Sequence, residues 1–220
     1  MSDKKNIDWR DLLINKAFDL LMVILGITIA FQLDNWKSDA ERHSQEKFYS
    51  ERILADINLD IEELTENLQE LKADRVAVEN YMSRMNELPA DSLIKPVMAI
   101  LSFETFNGNQ NTYQTLVAGA RLNTFSDATV VEKLTGYYSS YTAIRRLETV
   151  YTTALFEIHK QFSPYMIYDK GKIVDQGVVS LPATRNSLLI ANEQLNNGVE
   201  DYGYALERAL ALKQALEKGL

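Results

Sequence analysis

The chain has 220 residues, 46% of them hydrophobic, and its 31 acidic and 23 basic side chains give a formal net charge of −8. This balance argues against a nucleic-acid partner, because phosphate binding requires concentrated Lys and Arg and the sequence contains no basic cluster. The absence of cysteine excludes disulfides, thiolate zinc sites and cysteine nucleophiles. The part of the chain beyond residue 36 is long enough for one domain with its own core.

An apolar run near the N-terminus, residues 20–31, is the most informative feature of the sequence. With its flanks it reaches the roughly 20 apolar residues that a helix needs to cross a bilayer. Trp9 and Trp36 would lie about 40 Å apart on such a helix, which matches the two headgroup regions that Trp side chains prefer. We therefore predict a short tail at residues 1–16, a transmembrane helix at 17–36 and an extramembrane domain at 37–220.

Two other interpretations account for this run less well. A buried amphipathic helix of a soluble protein does not explain the Trp pair or the change to polar sequence after Gln32. A cleaved signal peptide fits the small residues near Ala30, but Asp19 interrupts the start of the run and no helix breaker precedes Trp36. An uncleaved anchor is the preferred interpretation.

The orientation of this anchor follows from its short N-terminal tail. Lys and Arg are equally frequent on the two sides of the run, so the positive-inside rule alone gives a tie. The free amine of the tail favours a cytoplasmic N-terminus. We predict a single-pass protein of the bacterial inner membrane whose C-terminal domain lies in the periplasm.

One face of the predicted membrane helix carries an acid and two small residues. Gly26 and Ala30 form a small-x-x-x-small pair, which allows two helices to approach closely. Asp19, on the same face, is costly in lipid and requires a protein partner or the headgroup region. This face predicts association with a second copy or with another membrane protein. The alternative is that the Gly26 and Ala30 pair has no partner, since small-x-x-x-small pairs are common, and that Asp19 reaches the membrane–water interface.

A second pattern extends over more than four heptads beyond the membrane run. Apolar residues recur at alternating steps of three and four, which is typical of a packed helix, and only Arg75 interrupts the series. The same spacing serves a core within one chain and a coiled coil between chains, so both remain open. The first members of this seam are Leu54, Ile57, Ile61, Leu64, Leu68 and Leu71.

The remaining sequence predicts further helices, so the fold class is all-α, with an antiparallel helical bundle after the long helix. Residues 90–102 form a short helix, 103–111 a loop, and Thr112 caps a helix that Gly119 closes. Ser126 or Asp127 caps a long helix rich in tyrosine, which Pro164 terminates. Residues 165–185 are mostly irregular, with an extended piece at 172–180, and a last helix covers 186–218.

Three segments together resemble an uncharacterised bacterial family of single-pass, membrane-anchored helical proteins, known best from Bacteroidetes and marine bacteria. The family's anchor pattern, LLIVLGI-x-IA-x-Q-x-NNW, is similar to residues 21–36, LMVILGITIAFQLDNW. Its T-Y-x-x-L segment corresponds to residues 112–116, and the similarity resumes over residues 122–165. The family usually has Gly where this chain has Ala120. The resemblance implies an anchor with a helical domain and no established activity.

Residues that would carry chemistry are sparse. His43 and His159 are the only histidines, and no phosphate-binding loop, dinucleotide fingerprint or nucleophile elbow is present. Glu157 and His159 are two positions apart and would point to different faces of a helix, unlike the Glu-x-x-His pairs of di-iron bundles. We predict a protein that is not an enzyme and requires no cofactor or metal.

Two classes of function fit these patterns. The first is a membrane-anchored interaction or scaffold protein, or an accessory subunit of a membrane complex, that uses the Asp19 face or the apolar seam. The alternative is a sensory or ligand-binding helical ectodomain that signals through a membrane partner. In that case the Asn-rich loop beside Tyr113 and Arg121 is the candidate ligand contact, although such loops more often only connect helices.

Overall fold

The computed structural model describes the backbone of residues 9–219 and the side chains of residues 16–219. The predicted tail therefore lies outside the described residues as far as position 8, and the side chain of Trp9 lies outside them as well. The chain divides into two compact units, Met1–Phe48 and Tyr49–Leu220. We call these the N-terminal unit and the helical unit.

The described residues confirm the all-α fold class. Five α-helices cover most of them, and the only strands they contain are two-residue strands paired in an antiparallel hairpin with Met166 opposite Ile173. The helices are α1 (Trp9–Arg84), α2 (Ile94–Leu101), α3 (Asn111–Ala118), α4 (Ala128–Phe162) and α5 (Pro182–Gly219), and the strands are β1 (Met166–Ile167) and β2 (Lys172–Ile173).

Helix α1 contributes to both units. It begins at Trp9 and ends at Arg84, a few residues before Pro89. Past the end of the helix, the amide of Leu88 still donates to the carbonyl of Arg84 (3.1 Å). The chain does not continue as a helix, because Pro89 disfavours a helical conformation in the residue before it. A 3₁₀ turn, Ala90–Leu93, then leads into α2, where Pro96 is tolerated because it lies in the first turn.

The long helices of the helical unit are not all antiparallel. Tyr202 of α5 bonds to Glu148 of α4, and Arg208 bonds to Gly136, so these two helices run in opposite directions. Lys213 of α5 bonds to Asn58 of α1, and Asn196 of α5 bonds to Arg75 of α1, so these two helices also run in opposite directions. Helix α5 is thus antiparallel to both of its neighbours, while α1 and α4 run parallel to each other, because residues 85–127 carry the chain back along the bundle.

The ends of α4 were predicted correctly, and two short segments were not. The Asp127 carboxylate accepts a bond from the Thr129 amide (2.7 Å) as the N-cap of α4.

Helix α3 begins at Asn111, so Thr112 is a buried helical residue and not the predicted cap. The predicted extended piece at 172–180 is also wrong beyond Ile173. The Asp175 carboxylate accepts from the Gly177 amide (2.8 Å) and starts a 3₁₀ turn, Gln176–Ser180.

The turn after α3 places Ala120 in the left-handed region, at φ 49°. The Arg121 amide donates to the Leu116 carbonyl (2.8 Å) and the Ala120 amide to the Val117 carbonyl (3.1 Å). This is a Schellman ending, in which the left-handed residue is usually glycine because a side chain is strained there.

We expect Ala120→Gly to raise the free energy of unfolding by about 1 kcal/mol, because it removes the left-handed strain of an alanine. Ala118→Gly is the matched control, since residue 118 lies in the last turn of α3 and the same change there should lower stability by up to about 1 kcal/mol. Thermal unfolding of the two variants measures both changes in stability. A loss of stability in Ala120→Gly would contradict the proposed strain.

Candidate functional site

The described part of the N-terminal unit exposes its apolar residues on all sides of α1. It contains a helix long and apolar enough to cross a membrane, and none of that apolar stretch is buried within the chain. Phe18, Phe31 and Trp36 are 65%, 68% and 75% exposed. The chain itself therefore does not provide the burial that a core helix of a soluble protein would have.

The predicted membrane-helix contacts, Asp19, Gly26 and Ala30, are also exposed. No atom lies within 4 Å of the position that a Cβ on Gly26 would take, so the chain itself places no steric demand for glycine there. The hydroxyl of Thr28 donates to the Ile24 carbonyl (2.8 Å), which satisfies this polar group without a partner helix.

The seam residues beyond the membrane run lie in the core of the helical unit. Ile57, Leu64 and Leu71 are buried, with relative exposures of 0%, 0% and 4%. Leu54, Ile61 and Leu68 are partly buried and pack against the same core. At Gly198 of α5, an added Cβ would lie 3.3 Å from a methyl carbon of Leu71, so α5 passes close to the seam. One copy of the chain accounts for the burial of the seam.

The predicted ligand contacts, Tyr113 and Arg121, take part in contacts within the helical unit. The Tyr113 ring stacks on the ring of Tyr138 with centroids 4.2 Å apart and planes at 7°. The Arg121 guanidinium donates to the Tyr49 hydroxyl (2.8 Å). Both side chains join α3 or its following turn to the long helices.

The connection from α2 to α3, residues 102–110, is held by carboxylates of two long helices, and we call it the strap. Three of its backbone amides donate to side-chain carboxylates. Phe106 donates to Glu148 of α4 (2.6 Å), and Asn107 and Asn109 donate to Glu63 and Asp60 of α1 (2.8 Å each). The strap therefore runs along α1 in the opposite direction, and it covers the face between α1 and α4.

Asp60 is the most heavily bonded of these carboxylates and is fully buried. One oxygen accepts from the backbone and side-chain amides of Asn109 (2.8 Å each). The other accepts from the hydroxyls of Tyr137 (2.7 Å) and Tyr141 (2.5 Å). Neutral donors thus satisfy this carboxylate, and they join α1, the strap and α4 at one point.

Glu148 has the corresponding role at the middle of α4. The oxygen that accepts from Phe106 also accepts from the Tyr202 hydroxyl of α5 (2.8 Å). Burial and the nearby Glu148 carboxylate raise the pKa of Tyr202, and burial and Asp60 raise the pKa values of Tyr137 and Tyr138. These tyrosines stay protonated and act as hydrogen-bond donors, which suits a structural network.

Sequence reasoning did not identify Asp60, Glu63 or the strap. A signal was present, because Asp60 lies three residues after Ile57 and four before Leu64, and Glu148 falls within the apolar spacing of α4. An acid at core spacing near tyrosines indicates a buried carboxylate with hydroxyl donors. The partner amides come from an irregular segment, which no periodicity reveals.

The carboxylates of the strap site join α1, α4 and α5 to the strap. Among residues 16–219, no three His, Asp or Glu side chains are grouped as metal ligands would be. His43 lies 3.9 Å from Glu46, and the ring of His159 stacks on Tyr168 with centroids 5.5 Å apart. The carboxylates of the strap site already accept hydrogen bonds from the chain.

These features define an all-α protein with an exposed apolar helix and a helical unit whose three long helices are joined by a strap. Comparisons with known proteins give no match, since no family model fits the chain and neither a curated protein nor a solved structure is significantly similar to it. The family resemblance stays a prediction.

Asp74, near the start of the strap, should make stability depend on pH. Burial, and then the charge of Glu70, raises the pKa of Asp74 from 3.8 to about 6. The folded state holds this proton more tightly than the unfolded chain does. The stabilisation of the folded state by protonated Asp74 is therefore complete below about pH 4 and is lost as the pH rises through about 6. We expect Asp74→Asn to raise the free energy of unfolding at pH 7.5 by about 1 kcal/mol, allowing for solvent screening of a partly exposed carboxyl, and to change it little at pH 4.

Unfolding of the full chain in detergent, followed by helical circular dichroism at the two pH values, measures this difference. Glu66→Gln is the control, because Glu66 is an exposed acid of the same helix. An equal effect of Asp74→Asn at both pH values would contradict the expected dependence on ionisation.

Proposed function

We propose that this chain is a single-pass membrane-anchored scaffold or accessory subunit without catalytic activity. The exposed apolar surface around residues 18–36 of α1 is the observation that carries the proposal. A helix that is apolar on all sides requires a nonpolar environment outside its own chain, and its length fits the hydrocarbon core of a bilayer. Trp36 then lies at the interface, where Trp side chains are enriched.

The membrane proposed here is the bacterial inner membrane, with the N-terminus in the cytoplasm and the helical unit in the periplasm. The strap and the three long helices give the helical unit a closed core, which is suitable for presenting a rigid surface to other proteins.

The face of Asp19, Gly26 and Ala30 is proposed as the assembly contact within the membrane. Gly26 has open space around its Cβ position, so a larger side chain there is compatible with the isolated chain and would act on association. The seam is a less suitable contact, because Ile57, Leu64 and Leu71 are already buried in the helical unit. The partner is a second copy or another membrane protein.

Insertion and orientation are testable with single cysteines, since the natural chain has none. We expect Leu25→Cys to resist a membrane-impermeant maleimide in intact cells and in opened cells, because it lies within the bilayer. Ser44→Cys should react in intact cells whose outer membrane has been permeabilised. Rapid labelling of Leu25→Cys before detergent is added would contradict insertion, whereas labelling of Ser44→Cys only in opened cells would reverse the orientation.

A further inference from the structure

The two halves of the strap meet α1 in different ways. In the second half, the amides of Asn107 and Asn109 donate to Glu63 and Asp60. At its start, Ser102, Phe103 and Glu104 instead line a small cavity together with Asn67, Glu70, Leu71 and Asp74 of α1. The volume of this cavity is about 10 Å³, close to the space that one water molecule occupies.

Asp74 is a partly buried carboxyl in this cavity, and among the described residues no hydrogen-bond donor or cation pairs with it. The titratable groups around it are Glu70 on α1, Glu104 on the strap and Tyr151 on α4, and no residue of α5 lines the cavity. None of these neighbours supplies a positive charge. An ionised Asp74 therefore gains from contact with water, which the start of the strap restricts.

We propose that the start of the strap, residues 102–105, is a pH-sensitive catch that closes over Asp74 when this carboxyl is protonated and loosens when it is ionised. The second half of the strap stays in place, because the amides of Asn107 and Asn109 remain hydrogen-bonded to Glu63 and Asp60. Loosening gives Asp74 access to water and separates Phe103 from Tyr151, whose rings stack with centroids 4.1 Å apart.

The pKa of Asp74, raised to about 6 by burial and by Glu70, places this transition in the range between pH 5 and 7. The direction of the pH dependence follows from the burial of the carboxyl. Closing the strap removes water from the carboxyl and favours the neutral form, so a rise in pH favours the open form. Removal of the Glu70 charge should move the midpoint to lower pH.

A spin label on the strap tests the catch in the full chain in detergent. Thr105→Cys provides a unique attachment site at an exposed strap residue, and Asn80→Cys provides a reference site on α1. We expect the mobile fraction of the label at residue 105 to rise at least twofold between pH 4.5 and pH 8, with a midpoint near pH 6. The label at residue 80 should not change over this range.

Asp74→Asn in the same labelled chain should abolish the transition and keep the spectrum recorded at pH 4.5. Glu66→Gln, an exposed acid outside the cavity, should leave the transition unchanged. Glu70→Gln should shift its midpoint to lower pH, which provides a test that does not depend on the folding of Asp74→Asn. A transition that persists in Asp74→Asn with an unchanged midpoint, or a constant mobility at residue 105 in the unsubstituted background, would overturn the proposal.

Discussion

Asp60→Ala is expected to lower the free energy of unfolding of the helical unit by about 4 kcal/mol, the largest effect of any single substitution considered. The change removes the acceptor of four hydrogen bonds, two from Asn109 and one each from Tyr137 and Tyr141. The two hydroxyls are buried, so the substitution leaves them without the acceptor that replaces solvent in the folded chain. Removing one side of a buried charged network typically costs about 3–5 kcal/mol, because the donors keep their desolvation penalty.

Thermal unfolding of the full chain measures this loss as a fall in melting temperature of roughly 10 °C, given the size of the helical unit. Glu62→Ala is the matched control, because Glu62 is an exposed acid two residues away on α1. It should change stability by less than about 0.5 kcal/mol. Equal effects of the two substitutions would show that Asp60 is not a structural acceptor.

Gly108→Ala is expected to cost about 3 kcal/mol through a steric conflict at the middle of the strap. An added Cβ would lie 2.3 Å from Cε1 of Tyr141 and 2.6 Å from Cε1 of Phe106. These rings are packed against each other with centroids 5.1 Å apart, so neither has room to move freely. Displacing Tyr141 would also break its hydrogen bond to Asp60, which adds to the cost of overpacking.

Gly203→Ala on α5 is the control for this substitution. Nothing lies within 4 Å of the added Cβ at residue 203, and alanine favours the helix by up to about 1 kcal/mol, so this variant should be more stable than the natural chain. Chemical denaturation of the pair separates a steric effect from a general effect of replacing glycine. A Gly108→Ala variant as stable as the natural chain would mean that the strap does not pack as described.

The helices were predictable because their apolar spacing and ends are local. Val130 to Phe162 repeats at steps of three and four, and α4 occupies this stretch from Ala128 to Phe162 after the Asp127 cap. The buried tyrosines of this series need acceptors for their hydroxyls, and Asp60 accepts from Tyr137 and Tyr141. In these cases the same residues determine the local structure and its packing.

The strap and the directions of the helices were less predictable, because they depend on contacts between residues far apart in the chain. Asn109 contacts Asp60 across 49 positions, and Phe106 contacts Glu148 across 42. A short Asn-rich segment without periodicity is typical of an exposed loop, and only the acceptors on α1 and α4 make it part of the core. The Ala120 turn was missed for a similar reason, since glycine is the usual signal for that conformation.

We propose that the chain acts in the membrane as part of an assembly held by the Asp19, Gly26 and Ala30 face of α1. The most direct test is the mass of the full-length protein extracted from membranes in a mild detergent, compared with the 25.1 kDa of one chain. We predict a defined complex of higher mass that Gly26→Leu dissociates and Thr28→Leu preserves, because residue 28 points about 200° away from residue 26 on the helix. The mass of a single chain for the unsubstituted protein, or a complex that Gly26→Leu leaves intact, would contradict assembly through this face.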